Sequence, residues 1–465
     1  MSLSITQCVA RVLEEADRPC TLTEILARVA MLRPVDTVKP QATIRGVLSS
    51  LPLAVSLGGR PAHYVWWPHA LANNVFRQPL DGLDLSSGQL PLCEEVWLAL
   101  WPTCFVDRTP RPHEVTLVLP GDLSLQAQID SMPPRSGSWG ILPNPALVTW
   151  FQDRGVATGD ALRVRVLDVP ARRYAVELIR AQARDEPVIA ARNRVLADAI
   201  AEVLRASRDD LPDFYLIPRL VARGAYRDPL PPDPLDVVLA GDLGFIVGKY
   251  SIRLAEKMVD QLERETSAMP VFEGFPRPSG NRRQAHTEDE RRAWAAYLFD
   301  RGMDYRRAGW QLEAEAYYRE ALQLDPGHAD AWVHLGNIRS DEGQETGPSM
   351  NRLTGTRGAL ERALACYERG EAAGLARTIG DPATYTAPFW LDLDSRPYMR
   401  ALHGKGCCLW QLGRIIEARE VFAHMLRLNP DDNQGARFLL YGLDQGLSWE
   451  EEVAREDREW GQAAR

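Results

Sequence analysis

Long apolar segments are absent from this sequence. No stretch approaches the ~18 uncharged apolar residues that a membrane-spanning helix needs, and no apolar run precedes Asp17. Cysteine is scarce as well: the seven residues are irregularly spaced and contain no Cys-x-x-Cys pair. We therefore expect a cytoplasmic protein with reduced thiols, no membrane contact, no secretory signal and no structural metal.

Catalytic signatures are missing too. The sequence has no Walker loop, no Gly-x-Gly-x-x-Gly after a strand, no His-Glu-x-x-His and no Gly-x-Ser-x-Gly. Gly241 and Gly244 are close, but no phosphate-loop lysine follows them at the required spacing. The sequence therefore predicts a protein that is not an enzyme, with no cofactor, metal ligands or catalytic residues. An active site within 81–265 stays open as an alternative.

Charge is unevenly distributed along the chain. Residues 1–80 contain eight Lys and Arg against five Asp and Glu, whereas residues 287–465 contain 22 against 30. Because nucleic acid repels a net negative surface, only the N-terminal region has the charge for binding it. Almost all basic residues are arginine, and with frequent Ala and Trp this composition indicates a bacterial protein.

A helix-turn-helix repeat begins near residue 295. Small residues in this pattern let two antiparallel helices approach, larger ones fill the space between them, and a proline ends the second helix. The residues at these offsets are Leu298, Gly302, Tyr305, Ala314, Tyr318, Ala321 and Pro326. This spacing resembles the tetratricopeptide repeat. One such unit cannot bury its apolar face alone, so the pattern predicts neighbouring units.

Two further units follow the first. The second has Trp332, Leu335 and Gly336, but its Ala363 and Tyr367 come about 15 residues later than the 34-residue period allows. A loop rich in Gly, Ser, Thr and Asn is therefore predicted at 340–358, and a second insertion at about 375–395. The third unit fits 399–432, where the matching residues are Leu402, Gly406, Ala418, Phe422 and Pro430. Helices at 433–442 and 449–460 are predicted to cap the array.

The resemblance implies a concave groove that binds a protein partner. It places seven candidate residues in that groove: Phe299, Met303, Arg306, Asn337, Arg400, His403 and Trp410. Apolar and arginine side chains together would suit a partly apolar peptide with an acidic group. Asn337 is present without the lysines of a chaperone-tail clamp. In the alternative interpretation, Met303 and Trp410 belong to the core between repeats.

The N-terminal region, residues 1–80, follows another pattern. Helical periodicity covers 4–15 and 37–51, a capping box opens a helix at Thr21, and Gly58-Gly59 joins two β-prone runs. Three helices followed by a hairpin form a winged-helix layout. The segments Thr21-Leu22-Thr23-Glu24-Ile25, Ala42-Thr43-Ile44-Arg45 and His63-Tyr64-Val65-Trp66 resemble the HARE-type helix-turn-helix.

That resemblance implies contact with DNA or with transcription complexes. If Ile44 and Leu48 face the core, the opposite face of the third helix presents cations and small residues to a phosphate backbone. The candidate DNA-binding residues are Lys39, Arg45, Ser49, Arg60 and His63. A small helical domain that docks only on protein is the alternative.

The middle of the chain alternates in hydrophobicity. Strands are predicted at 113–119, 123–129, 139–142, 161–169 and 173–179, with a short helix at 144–155. The whole sequence thus predicts a multidomain α+β protein. Its parts are a winged helix at 1–80, a mainly-β, barrel-like domain at 90–185, an unassigned mixed α/β segment at 186–265, a linker at 266–287, and an all-α tetratricopeptide superhelix at 288–460.

We expect a cytoplasmic bacterial adaptor or regulator. Its repeats would bind a protein partner, and its winged helix would dock to double-stranded DNA or to the transcription machinery. A pure protein-interaction scaffold that does not bind DNA is the alternative.

Overall fold

The chain folds as two compact units. The computed structural model describes residues 3–80, 83–104, 106, 113–121, 123–131, 139–157, 159–207, 211–248, 251–265, 277–345, 356–386 and 389–455. The first unit contains Met1–Asp242 and Lys249–Ile252, and the second contains Leu243–Gly248 and Arg253–Arg465. In the described ranges, no helix combines the length and apolar character needed to cross a bilayer.

Three helices and a small sheet form the N-terminal part of the first unit. In chain order these are α1 (Ile5–Glu14), β1 (Cys20–Thr21), α2 (Leu22–Leu32), α3 (Pro40–Ser50), β2 (Ala54–Gly58) and β3 (His63–Trp66). The sheet order is β1-β3-β2, and both pairs are antiparallel. The predicted capping box is present at α2: Thr21 Oγ1 accepts from the Glu24 amide, and the Thr21 amide donates to Glu24 Oε2.

A seven-stranded sheet occupies the middle of the chain. Its elements are α4 (Trp67–Ala70), β4 (Val75–Pro79), β5 (Leu90–Pro91), α5 (Glu94–Leu100), β6 (His113–Leu119), β7 (Leu123–Ser131), β8 (Trp139–Ile141), α6 (Pro145–Asp153), β9 (Ala161–Asp168) and β10 (Arg173–Ile179). The strand order is β4-β9-β10-β6-β7-β8-β5, with β10 parallel to β6. All five predicted strands are present. Strand β4 was not predicted because its first four residues are all buried and do not alternate, and β5 has only two residues.

Three helices complete the first unit: α7 (Glu186–Ala206), α8 (Asp213–Ala222) and α9 (Leu235–Gly241). The β2–β3 hairpin is anchored just after α8, because the Arg223 guanidinium donates to the Leu57 carbonyl at 2.8 Å. Arg223 also pairs with Glu202 on α7 at 2.9 Å. The turn end of the hairpin is therefore held by the rest of this unit.

The second unit is built from antiparallel helices. After two short strands, β11 (Phe245–Val247) and β12 (Ile252–Leu254), come α10 (Ala255–Glu265), α11 (Glu288–Arg307), α12 (Gln311–Leu324), α13 (Ala329–Glu345), α14 (Thr356–Gly374), α15 (Arg396–Gln411), α16 (Ile415–Leu428) and α17 (Ala436–Asp444). Residues 449–455 are also helical. The C-terminal region is thus all-α.

One contact recurs in each of three helical pairs. A Cβ atom added to Gly302 would lie 2.6 Å from the Tyr318 ring, and the same construction gives 2.9 Å for Gly336 and Tyr367. In the third pair, Gly406 lies against Phe422 in the same way. These glycines allow the close approach that the sequence predicted. Tyr367 packs against Gly336 in the same way, even though the insertion lengthens the chain between these two residues.

The insertions differ in extent from the prediction. Helix α13 continues to Glu345 and α14 begins at Thr356, so both helices extend into the predicted loop 340–358. Residues 346–355 lie outside the described residues. After α14 the chain forms a π-helical turn, Leu375–Ile379, and then a 3-10 turn, Leu393–Ser395.

The predicted boundaries at 265 and 287 fall inside the second unit. Helix α10 packs against α12, and the buried Arg282 guanidinium joins Asp260 at 2.6 Å and Glu320 at 3.2 Å. The chain just before α11 is therefore tied to the helices by buried ion pairs. Residues 266–276 of the predicted linker lie outside the described residues.

Candidate functional site

The predicted groove residues lie on the first helix of each pair: α11, α13 and α15. Phe299 is half-buried at the centre of an aromatic cluster, with its ring centroid 4.8 Å from His328, 5.4 Å from His334 and 5.6 Å from Tyr318. Met303 lies one turn further along, where its sulfur accepts from the Tyr318 hydroxyl at 3.2 Å. These side chains form an apolar surface at the first two helical pairs.

Both candidate arginines are already paired with carboxylates of this unit. Arg400 contacts both carboxylate oxygens of Asp330 at 2.7 Å. Arg306 pairs with Asp341 at 3.2 Å and donates to the His334 carbonyl at 3.2 Å. The sequence predicts an acidic ligand for these cations, but such a ligand would have to displace an aspartate first.

The other polar candidates have structural contacts. Asn337 Oδ1 accepts from the Tyr367 hydroxyl at 2.7 Å, which fixes the ring that lies over Gly336. His403 is half-buried, and its ring is oriented edge-on to Phe422 at 6.3 Å. Asn337 therefore orients a core tyrosine, and a ligand could reach only the exposed part of His403.

Trp410 does not belong to an accessible groove. Its side chain is 2% exposed, its ring meets Trp449 edge-on at 5.5 Å, and its Nε1 donates to the Leu447 carbonyl at 3.2 Å. Leu447 and Trp449, which follow α17, cover this position. Trp410 is therefore buried in the core of the repeats, whereas Met303 is only partly buried.

The two histidines of the aromatic cluster are neutral at pH 7. Burial lowers the pKa of His334 to about 4 and also lowers the pKa of His328. The Ala331 amide is shared between the His328 carbonyl at 3.1 Å and His328 Nδ1 at 3.2 Å, an arrangement that favours the neutral tautomer with the proton on Nε2. His328 can therefore donate a hydrogen bond without carrying a charge.

A cavity of about 670 Å³ lies beside this cluster. Its lining consists of Arg292, Ala296, Asp325, Gly327, His328, Ala373, Ala376 and Arg377. Sequence reasoning missed the cavity because Arg377 belongs to an insertion, which has no counterpart among the repeat positions. The available signal was the location of the second insertion, which was predicted at about 375–395.

The candidate DNA-binding residues cluster only in part. Lys39, Arg45 and Ser49 are exposed on α3, and Ile44 and Leu48 are buried beneath them as expected. Among the described residues, neither Lys39 nor Arg45 has an ion-pair partner. Together with Leu26, Pro40, Gln41 and Ala42, these two cations line a cleft of about 570 Å³.

The hairpin candidates do not line this cleft, and two exposed apolar residues lie near α3. Arg60 is exposed in the β2–β3 turn, and His63 is half-buried in β3. Val38 is 98% exposed directly before Lys39, and Met31 is 79% exposed in the last turn of α2. The N-terminal part therefore presents both cations and bare apolar side chains.

The middle sheet contains a buried carboxylate. Glu95 is almost fully buried, and its Oε1 accepts from the Leu235 amide at 2.9 Å. Burial, with a smaller effect of Asp236, raises the pKa of Glu95 to about 8. Glu95 therefore caps α9 and is closed to a substrate. Within the described residues, no group of three or more His, Cys, Asp or Glu is placed to hold a metal ion.

Comparison with protein families identifies the first and the third of the three helical pairs. Two family models described as tetratricopeptide repeat match residues 295–328 and 400–432. Neither match extends into the N-terminal region at 1–80. No match was found among curated proteins or among solved structures.

The second unit is thus a helical-repeat structure. More specifically, the chain contains two tetratricopeptide repeats, α11–α12 and α15–α16, and between them lies a pair, α13–α14, with the same glycine–aromatic contact. Such repeats are protein-interaction modules.

Proposed function

We propose that this chain is a protein-binding adaptor whose repeats bind a segment of a partner along α11, α13 and α15. The observation that carries the proposal is the aromatic cluster at Phe299, which leaves an apolar ring partly open on the first helix of the first repeat. Stacked helical repeats characteristically present such inner faces to partners. Partly buried aromatic side chains also contribute most of the binding energy in many interfaces.

The paired arginines limit the chemistry of that partner. A carboxylate approaching Arg400 would compete with Asp330, so it would gain little net Coulomb energy there. An apolar side chain packed on Phe299 and Met303 loses water without breaking an ion pair. The partner segment should therefore be anchored at the first two helical pairs by an apolar residue.

Site-specific photo-crosslinking tests this proposal. A photoreactive phenylalanine analogue at position 299 keeps the aromatic ring and should crosslink the partner in cells. Placing the analogue at the exposed Trp310, in the turn between α11 and α12, gives a matched control. A partner captured at 310 but never at 299 would contradict the proposal.

We further propose that the N-terminal part is a winged helix that docks to DNA or to the transcription machinery of a bacterial cytoplasm. The order of its elements and the β1-β3-β2 sheet support this interpretation. Lys39 and Arg45 support contact with phosphate, because both are exposed and free of ion pairs in the described ranges. Arg45 is also the residue type that reads guanine most often.

A scaffold without DNA binding is the second candidate. The exposed side chains of Val38 and Met31 favour this candidate. Burying exposed apolar side chains against a protein contributes favourable binding free energy, whereas contact with DNA phosphates contributes little. DNA binding by the full chain at two salt concentrations separates the two candidates. An enzyme in the middle domain has less support, since its perturbed carboxylate, Glu95, is buried.

A further inference from the structure

Helix α2 of the N-terminal part is apolar on its outer side as well as on its core side. Ile25 and Val29 are buried against the rest of the fold, as an amphipathic helix requires. Five residues of α2 are exposed, and four of these five are apolar: Ala27, Ala30, Met31 and Leu32. A helix that is apolar on both sides is normally covered on both sides, so its composition indicates that a further element covers the outer side of α2.

The exposed residues form a continuous strip along this helix. Residues three and four positions apart are neighbours on a helix surface, so Ala27 adjoins both Ala30 and Met31. Leu26 borders the strip, because it lies four residues before Ala30. Two alanines let another helix approach closely, and the flexible Met31 side chain can adapt to the surface that it meets. The strip therefore has the properties of a helix-packing surface.

Two cations lie beside this strip. Leu26 also lines the cleft of about 570 Å³ that contains Lys39 and Arg45, so the apolar strip and the cations share one wall. Residues 22–50 contain four Lys and Arg against two Asp and Glu, and one of the two acids, Glu24, already pairs with Arg18 at 2.6 Å. Among the described residues, Lys39 and Arg45 have no ion-pair partner. The surface next to the strip therefore favours a negatively charged ligand.

We propose that α2 and the adjoining cleft bind an acidic amphipathic helix of a partner protein. The apolar stripe of that helix would pack on Ala27, Ala30 and Met31, in the way that amphipathic helices bind apolar surfaces. Its Asp or Glu side chains would face Lys39 and Arg45. The inference rests on the proposed docking role of the N-terminal part and specifies the chemistry of its partner.

The strip and the cations would contribute differently to binding. Burial of the apolar strip supplies affinity, because it removes exposed apolar surface from water. The cations set the sign of the charge that the partner carries, since a basic helix with the same apolar stripe would be repelled. DNA would satisfy Lys39 and Arg45 but would leave the strip exposed, so the two observations together favour a protein helix.

Selection of helical peptides on the full chain tests the inference. The library has a helix-forming frame of about 16 residues, with randomised positions on all sides of the helix. It is first depleted on a chain that carries Ala30→Gln with Met31→Gln, and the remaining peptides are then selected on the wild type. These two substitutions change the strip without changing its charge, and glutamine is a good helix former. We expect the recovered peptides to have an apolar stripe flanked by Asp and Glu.

A charge variant measures the contribution of the cations. Lys39→Gln with Arg45→Gln should weaken binding of the recovered peptides about tenfold, the effect of losing two partly exposed ion pairs. The matched control is Ala191→Gln with Val195→Gln, which makes the same kind of replacement at two exposed residues of α7 in the same unit. This control should retain the wild-type affinity. An unchanged thermal unfolding midpoint shows that each variant is folded.

The outcomes separate this inference from the proposed function. If no peptide survives the depletion step, if the recovered peptides are not enriched in Asp and Glu, or if the charge variant binds them as tightly as the wild type, the inference fails. A random DNA duplex is measured in parallel. A duplex that binds when no peptide is recovered would overturn the inference and leave the docking proposal for the N-terminal part intact, whereas binding of neither ligand would contradict both.

Discussion

Arg400 on α15 contacts both carboxylate oxygens of Asp330 on α13, each at 2.7 Å. The two residues occupy the same position in consecutive inner helices, so their ion pair joins the second helical pair to the third. The side chains of Arg400 and Asp330 are 35% and 19% exposed, so this ion pair is only partly shielded from solvent. Asp330 is thus the partner of Arg400, the cation for which the sequence predicted a role in peptide binding.

A double-mutant cycle on this pair should show measurable coupling. Replacing Arg400 and Asp330 by alanine, singly and together, should give a coupling free energy of about 1 kcal/mol, because the contact is bidentate and partly shielded. Denaturant unfolding measures it. The exposed Arg357–Glu361 pair is the control, and equal coupling in both pairs would show that the inner-face contact has no special role.

Glycine at position 404 should be essential for packing. A Cβ atom at Gly404 would collide with the ring of Tyr367, so Gly404→Ala should destabilise the repeats by about 1–3 kcal/mol. A Cβ atom added to Gly46 on α3 would have no other atom within 4 Å. Gly46→Ala should therefore be neutral or stabilise by up to ~1 kcal/mol, the helix-propensity gain. Thermal unfolding of both variants measures these effects. Similar changes in unfolding temperature for the two variants would contradict the prediction that Gly404 is required by the Tyr367 ring.

The buried carboxylate of Glu95 should make stability depend on pH. Its pKa is about 8 in the fold against a usual value of 4.5. Between these values the folded state binds more protons than the unfolded state, so stability falls as pH rises, by up to ~1.4 kcal/mol per unit. Near pH 5 the Glu95→Gln variant should have the same thermal unfolding midpoint as the wild type. At pH 8 its unfolding midpoint should be higher than that of the wild type.

The exposed Glu14 provides the control for that measurement. Glu14→Gln makes the same Glu-to-Gln replacement at an exposed position on α1 and is measured beside it. If Glu95→Gln shows the same decline between pH 5 and 8 as the wild type, Glu95 does not keep its proton in the fold.

DNA binding, where present, should depend on α3. Lys39→Glu with Arg45→Glu should abolish salt-sensitive binding of a random duplex by the full chain, because each contact to a phosphate releases counterions. Arg11→Glu reverses a charge on α1 and should have a much smaller effect. Fluorescence anisotropy at about 50 and about 150 mM salt measures DNA binding by the wild type and by both variants. Wild-type protein that fails to bind at the lower salt would favour the scaffold.

Local spacing predicted the repeats well. Gly302, Gly336 and Gly406 are found against Tyr318, Tyr367 and Phe422, because small-to-large packing leaves a periodic trace in sequence. The delay before Tyr367 correctly indicated an insertion. The predicted strands lie in a region that alternates in hydrophobicity, whereas β4 is buried on both faces and does not alternate, and β5 is only two residues long.

Contacts between distant residues could not be predicted in this way. Nothing near Arg400 in sequence reveals Asp330, which lies 70 residues earlier. Trp410 has the spacing of a groove residue, and only the position of Trp449 shows that it is buried. The cavity at Arg377 depends on how an insertion folds back, which repeat periodicity does not encode.

The central claim is that the inner face at Phe299 binds a protein segment. The most direct test selects octapeptides from a random library on the immobilised wild-type chain. Their affinity is then measured for three full-length proteins: wild type, Phe299→Ala and the control Trp310→Ala. We predict that Phe299→Ala weakens binding at least tenfold, in line with the loss of an aromatic anchor, while Trp310→Ala retains the wild-type affinity. Equal affinities for wild type and Phe299→Ala would contradict the claim.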